Sequence, residues 1–148
     1  MKVREIMTSS VDSIQSTDTI GDAAKTMADH DVGMLPVVSN RALVGIVTDR
    51  DIAVRAVAGG ITPDLSIRRV MTEDVTVCSP DDEVDDVLEI MSSEQIRRMP
   101  VCRGGEEVVG IVSLADAVRK DSEKIEVAEA LAKICEPSGL HSQAPVFA

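Results

Sequence analysis

The sequence predicts an α/β (α+β) chain in which two β-α-β-β-α units follow one another and a further helix comes after them. Three observations predict it. The stretch from Val3 to Arg55 is repeated from Ile67 to Lys120: Met7-Thr8 falls on Met71-Thr72, Asp22 on Asp86, Met27 on Met91, Pro36-Val37 on Pro100-Val101, and Val44-Gly45-Ile46-Val47 on Val109-Gly110-Ile111-Val112. Within each copy, short apolar runs bounded by turn residues alternate with apolar stripes at helical spacing. The offset between the copies changes by one residue inside the polar turn from Arg103 to Glu107, where a duplicated fold tolerates an insertion best. A unit of about fifty residues is marginal by itself. The copies are therefore expected to pack as one body, with any functional site where they meet.

Each copy reads in the same order. A lead-in, Val3 to Thr8 or Ile67 to Thr72, precedes a short β-like piece, Val11 to Ile14 or Val75 to Cys78. After a polar turn, helices open at Thr19-Ile20-Gly21-Asp22 and Glu83-Val84-Asp85-Asp86, with acids in the first turn where the helix macrodipole favours them. Ile20, Ala23, Ala24 and Met27 form one apolar stripe, and Val84, Val87, Leu88 and Met91 the other. Met34 to Val38 and Met99 to Cys102 read as strands whose prolines suit an edge or a strand start. Asn40-Arg41 and Gly104-Gly105 mark turns, and Ala42 to Thr48 and Val108 to Ser113 return as strands. Second helices run from about Arg50 to Val57 and from Leu114 to Lys120, so the chain should hold a pair of small sheets. The segments assign as repeat one at 1–58, a Gly- and Pro-bearing linker at 59–66, and repeat two at 67–121. A helix at 122–137 carries Ile125, Ala128, Leu131, Ala132 and Cys135 on its stripe, ends at Pro137, and suits capping the tandem or a sister subunit; 138–148 is a tail.

Composition removes several function classes. The net charge is −11 and aromatics are 1% of the chain, Phe147 being the one ring. Base stacking and phosphate neutralisation are both poorly served, which excludes nucleic acid and an anionic membrane as expected partners. No apolar run approaches the roughly 20 residues of a membrane-spanning helix, and the first residues lack an apolar signal core, so a cytoplasmic location is expected. Cys78, Cys102 and Cys135 lack any C-x-x-C spacing and are expected to be reduced, buried thiols. His30 and His141 stand isolated, and no metal site is expected.

The residues that could carry chemistry stand at the end of each returning strand. Gly45-Ile46-Val47-Thr48-Asp49-Arg50-Asp51 and Gly110-Ile111-Val112-Ser113-Leu114-Ala115-Asp116 both place a carboxylate three residues after a hydroxyl. That spacing is a capping box. It is also a sugar-binding pair, because a carboxylate at a helix start can accept both hydroxyls of a ribose while the cap hydroxyl takes another bond. Recurrence in both copies, each time after a glycine that would let a ligand approach the strand, favours binding.

The h-x-x-h-M-T lead-in, the x-x-x-P-V before a turn and the G-h-h-[T/S]-x-x-D at the strand end together resemble the cystathionine β-synthase (CBS) domain, present as a tandem pair over Val3 to Lys120. The layout is similar to stand-alone CBS-pair proteins of the hypoxic-response type, as far as Ile134-Cys135-Glu136-Pro137. The resemblance implies two repeats packed about a pseudo-twofold axis, with two clefts for adenosine-containing ligands such as AMP, ADP, ATP, NAD or S-adenosylmethionine. It implies that Thr48 with Asp51 and Ser113 with Asp116 hold ribose. Met34, Pro36 and Ile46, with Met99, Pro100 and Ile111, would border the base, whose edge is read from the first strands at Val11-Asp12 and Val75-Thr76. Basic residues before the proline meet phosphate in many members; here these are Arg97 and Arg98 in the second copy but Gly33 and Met34 in the first, where Arg50 or Arg55 would supply the charge.

The expected function is a non-catalytic regulatory sensor that needs no cofactor, takes an adenine nucleotide as regulatory ligand, and signals to an unknown regulated protein, as a homodimer. The alternatives are a structural dimerisation module with vestigial clefts, or an enzyme. Against an enzyme, no nucleophile adjoins a base in sequence and no Gly-rich phosphate loop is present.

Overall fold

A computed structural model describes residues 1–120 and 125–136; the predicted tail, Pro137, His141 and Phe147 lie outside the described residues. Strand β1 (Ile14–Gln15), helix α1 (Ile20–His30), strands β2 (Met34–Ser39) and β3 (Ala42–Thr48) and helix α2 (Asp49–Asp51, continuing as a π-helix over Ile52–Val57) form the first repeat. Helix α3 (Val84–Glu94), strands β4 (Arg98–Arg103) and β5 (Glu107–Ser113) and helix α4 (Leu114–Lys120) form the second, and helix α5 (Ile125–Ile134) follows.

Local sequence accounts for these elements. Thr19 caps α1, its Oγ1 accepting from the Asp22 amide at 3.1 Å while the Asp22 carboxylate accepts from the Thr19 amide at 2.9 Å. These bonds hold the Asp22 carboxyl below its ordinary range. Asn40 and Arg41 both have positive φ, 51° and 66°, the turn that a two-residue hairpin with right-handed strand twist requires. The second hairpin spends its extra residue in Gly104-Gly105-Glu106, with both glycines at positive φ. Both hairpins carry a register shift at the same place, Val37/Val38 and Val101/Cys102.

Instead of two separate sheets, the described residues form one, five-stranded, in the order β1-β2-β3-β5-β4. The hairpins join at Ala42 and Glu107, reinforced by the Leu43 amide donating to the Glu106 carbonyl at 2.9 Å. The first β pieces are shorter than expected. Ile14–Gln15 pairs with β2, and in the second repeat a single bridge joins Cys78 to Val101. Val11 and Val75 lie outside the ladder and are only half-buried, so the apolar residues there form no strand.

The lead-ins do not stay with their own copies. Val3 and Ile6 belong to the core formed by Val84, Val87, Leu88, Met91, Met99 and Val112 of the second repeat. Ile67, Val70 and Met71 belong to the core formed by Ile20, Ala23, Met27, Leu35 and Val47 of the first. Backbone bonds fix the exchange: Thr8 pairs with Ile111, the two amide–carbonyl bonds each 2.9 Å, and Thr72 pairs with Ile46 at 2.8 and 2.9 Å. The glycines of the strand-end motif exist for this crossing. A Cβ on Gly110 would lie 2.7 Å from Met7 Sδ and 3.0 Å from the Thr8 carbonyl, and one on Gly45 would lie 2.8 Å from the Thr72 carbonyl. The close approach expected of a ligand is made by the other repeat's lead-in.

The last helix also differs from expectation. It buries Val127 and Ala130 on the second core with Ile134 beside them, while Leu131, Ala128, Ala132 and Cys135 face solvent. Two apolar stripes compete on this helix, and α3 receives the one containing Val127, with Gln95 Nε2 donating to the Lys133 carbonyl at 3.0 Å. Cys78 and Cys102 are buried as expected; burial pushes the Cys78 thiol up to about 12 and raises Cys102 as well. Cys135 is exposed, contrary to expectation. Among the described residues, no helix is long and apolar enough to cross a membrane.

Candidate functional site

Both strand-end corners close as capping boxes. The Asp51 amide donates to Thr48 Oγ1 at 3.1 Å and the Thr48 amide donates to Asp51 Oδ2 at 2.9 Å. At the other corner the Asp116 amide donates to Ser113 Oγ at 3.2 Å, and Asp116 Oδ2 accepts both the Ser113 amide at 2.8 Å and the Ser113 hydroxyl at 2.7 Å. One carboxylate oxygen is therefore committed to the backbone in each copy. The remaining Oδ1 faces an arginine without a hydrogen bond: Arg55 Nε at 3.7 Å from Asp51, and an Arg119 guanidinium nitrogen at 3.8 Å from Asp116. Capping and binding need not exclude one another, because the second oxygen can still accept.

A cleft of about 280 Å³ opens at Ser113 and Asp116. Ile111, Ala115 and Arg119 of the second repeat form one side with Arg98, while Thr8, Ser10, Val11 and Asp12 come from the segment after the first lead-in. Asp31, Val32, Gly33 and Met34 complete it. The cleft is composite because Thr8 is bonded to Ile111, which carries Val11 and Asp12 to the second repeat's acid. The second repeat's acid is thus served by the first repeat's Val11-Asp12 segment. Asp12 also faces His30, with Oδ1 to Nδ1 at 3.3 Å.

Of the residues expected to border a base, Val11, Asp12, Met34 and Ile111 line this cleft. Pro36, Pro100 and Met99 do not; all three are below 2% exposed and belong to the sheet and core. Pro36 pairs with Ile46 and Pro100 with Ile111, so the prolines shape the strands behind the site. Ile46 lies at the first corner against Thr72, and Val75 and Thr76 line no part of the cleft; Thr76 Oγ1 donates to Glu94 at 2.5 Å.

Among the basic residues, Arg98 lines the cleft and Arg97 adjoins it on an exposed turn. Neither forms an ion pair with a described residue. Arg50 is exposed next to the first corner, whereas Arg55 is spent elsewhere, donating to the Val70 carbonyl at 3.1 Å and the Met71 carbonyl at 3.3 Å. Arg55 clamps the exchanged lead-in and is not free for a ligand's charge.

Sequence reasoning missed Thr8, Ser10, Asp31 and Arg119. The repeat itself held a signal for Thr8, since Met7-Thr8 and Met71-Thr72 are conserved between the copies and a lead-in must pack somewhere. Asp31 carried no such signal: that it closes α1 in the left-handed region, at φ 52°, is a property of the fold. Arg119 carried none, because its copy-one equivalent is Val54.

A family model described as CBS domain matches residues 3–57 and 67–123. The CBS domain-containing protein YhcV of Bacillus subtilis is 37% identical over 77% of this chain and 81% of that protein. Hypoxic response protein 1 of Mycobacterium tuberculosis is 31% identical over 94% of this chain and 97% of its own length. Among solved structures, the CBS domain pair of protein MJ0100 in complex with 5′-methylthioadenosine and S-adenosyl-L-methionine is 33% identical, with a TM-score of 0.74, over 82% of this chain and 96% of that one.

Proposed function

The chain belongs to the CBS domain family, as a tandem pair, and from that premise we propose that it is a non-catalytic sensor whose composite cleft takes an adenosine-containing ligand. The observation that carries the reading is the meeting, in one opening, of a hydroxyl–acid corner, the Arg98 guanidinium without an ion pair among the described residues, and apolar walls drawn from both repeats. Asp116 Oδ1 accepts the ribose hydroxyls, Ile111, Val11 and Met34 flank the base, and Arg98 and Arg119 face the 5′ substituent. The solved complex of the related pair with methylthioadenosine and S-adenosylmethionine supports the ligand class. Binding transmits because the cleft spans the exchanged lead-in: a ligand there contacts both repeats and biases their arrangement by its differential affinity for the alternatives. A homodimer and a regulated protein downstream complete the proposal, in a cytoplasmic setting.

Thermal denaturation with AMP, ATP, NAD and S-adenosylmethionine tests it. A ligand at about a hundred times its dissociation constant adds about 2.7 kcal/mol, and Asp116→Ala should remove that gain. The engagement of both acids in capping favours a second reading, a structural dimerisation module, and no stabilisation by any adenosine compound would establish it. Turnover of ATP or NAD by the purified chain would instead reveal an enzyme.

A further inference from the structure

We propose that the ligand of the Asp116 cleft is an adenosine 5′-phosphate extended by an apolar chain, of the acyl-adenylate or alkyl phosphodiester class; the inference rests on the adenosine reading above and deepens it. Beside the cleft lies a second cavity of about 400 Å³, and the two share Arg98, Ser113, Ala115 and Arg119 as their common wall. The second cavity adds Arg97 and the apolar side chains Leu114, Val118 and Leu131. Val118 and Leu131 are 40% and 45% exposed, an apolar patch left open by α5 having turned its other stripe to the core.

The charge is polarised along the line that joins the cavities. Asp12, after the first lead-in, and Asp31, at the end of α1, line only the adenosine cleft, whereas Arg97, Arg98 and Arg119 all line the far cavity. In a chain of net charge −11, three guanidiniums drawn together, two of them without an ion pair to any described residue, mark a place for an anion. An anionic group therefore sits at the shared wall, and whatever lies beyond it meets leucine and valine. Asp116 constrains the attachment point. Accepting a ribose diol needs both hydroxyls free, so the extension leaves from the 5′ side and not from the 2′ or 3′ position. A single phosphate bridges the wall, since the cavities are contiguous.

Calorimetric titration of the full chain with AMP, adenosine 5′-(octyl phosphate) and octyl phosphate tests this. The octyl ester should bind at least about tenfold more tightly than AMP, which burial of about two methylenes at about 0.8 kcal/mol each supplies. Val118→Asn and Leu131→Asn, neutral polar changes at exposed positions, should each return the ester to the affinity of AMP while AMP itself binds as before. Equal affinity for ester and AMP, or a gain that survives both substitutions, overturns the inference while leaving the adenosine reading intact. Octyl phosphate binding as tightly as the ester also overturns it, and failure of AMP to bind at all removes the adenosine reading first. Should Val118→Asn turn a dimer into a monomer by light scattering without changing the ester's advantage, the patch covers a second copy and the inference falls.

Discussion

The two hydroxyl–acid corners are one piece of backbone in two settings. Their capping bonds agree closely, at 2.9 and 3.1 Å around Thr48 and Asp51 and at 2.8 and 3.2 Å around Ser113 and Asp116. Their neighbours do not agree. Where the second corner has Leu114, Ala115 and Arg119, the first has Asp49, Arg50 and Val54, and the basic pair Arg97-Arg98 replaces Gly33-Met34. Gly33 in turn admits the Asp49 carboxylate, whose Oδ2 would lie 3.1 Å from a Cβ there. The repeat thus supplies the scaffold twice, and the residues flanking it decide what each corner can hold.

The largest expected effect tests the shared scaffold. Gly45→Val and Gly110→Val should each cost about 3 kcal/mol, at the upper end of overpacking, because part of the obstacle is a hydrogen-bonded lead-in carbonyl, of Thr72 or Thr8, that cannot turn aside. Urea denaturation measures both, and a clear inequality would break the equivalence of the two crossings. Next, Asp51→Ala and Asp116→Ala should each lose about 1 kcal/mol with the capping-box bond from the Thr48 or Ser113 amide, while only Asp116→Ala abolishes ligand-induced stabilisation. Equal loss of ligand response in the two variants would mean that both corners bind.

The smallest effect concerns the N-terminal lead-in. Hydrogen bonds from Lys2 and from the amino terminus hold the Glu83 carboxyl down at about 2. Its folded value lies below the ordinary 4.5, so its contribution is full above that value and is lost as the pH falls towards 2. Melting curves of Glu83→Gln against the natural chain should therefore differ slightly at pH 7 and converge near pH 2. A constant difference across that range would show that Glu83 acts by packing and not by charge.

Much of the architecture was legible because local signals agreed with one another: Thr19 with Asp22, Asn40 with Arg41, and the stripes of α1 and α3. What could not be read was any property depending on which distant surfaces meet. Gly45 and Gly110 announce a close approach without saying to what. Pro36, Met99 and Pro100 stand next to site residues in the sequence, yet alternation and bulges along the strands bury them. On α5, both Val127 and Leu131 head plausible apolar faces, and the choice is made by α3, more than thirty residues away. That a cleft lies where the copies meet was legible from the duplication, but which segment serves which acid was not, because it depends on the pairing of Thr8 with Ile111.

The exchanged lead-ins make this polypeptide a fused relative of an arm-swapped dimer. Severed at Gly59-Gly60, neither fragment would contain the Met-Thr segment that fills its own interior, and each would find completion only in its complement. Inheritance follows the same geometry: a change in the opening residues of one half is felt as a lesion in the heart of the other, so the halves can diverge at their rims but must evolve together within.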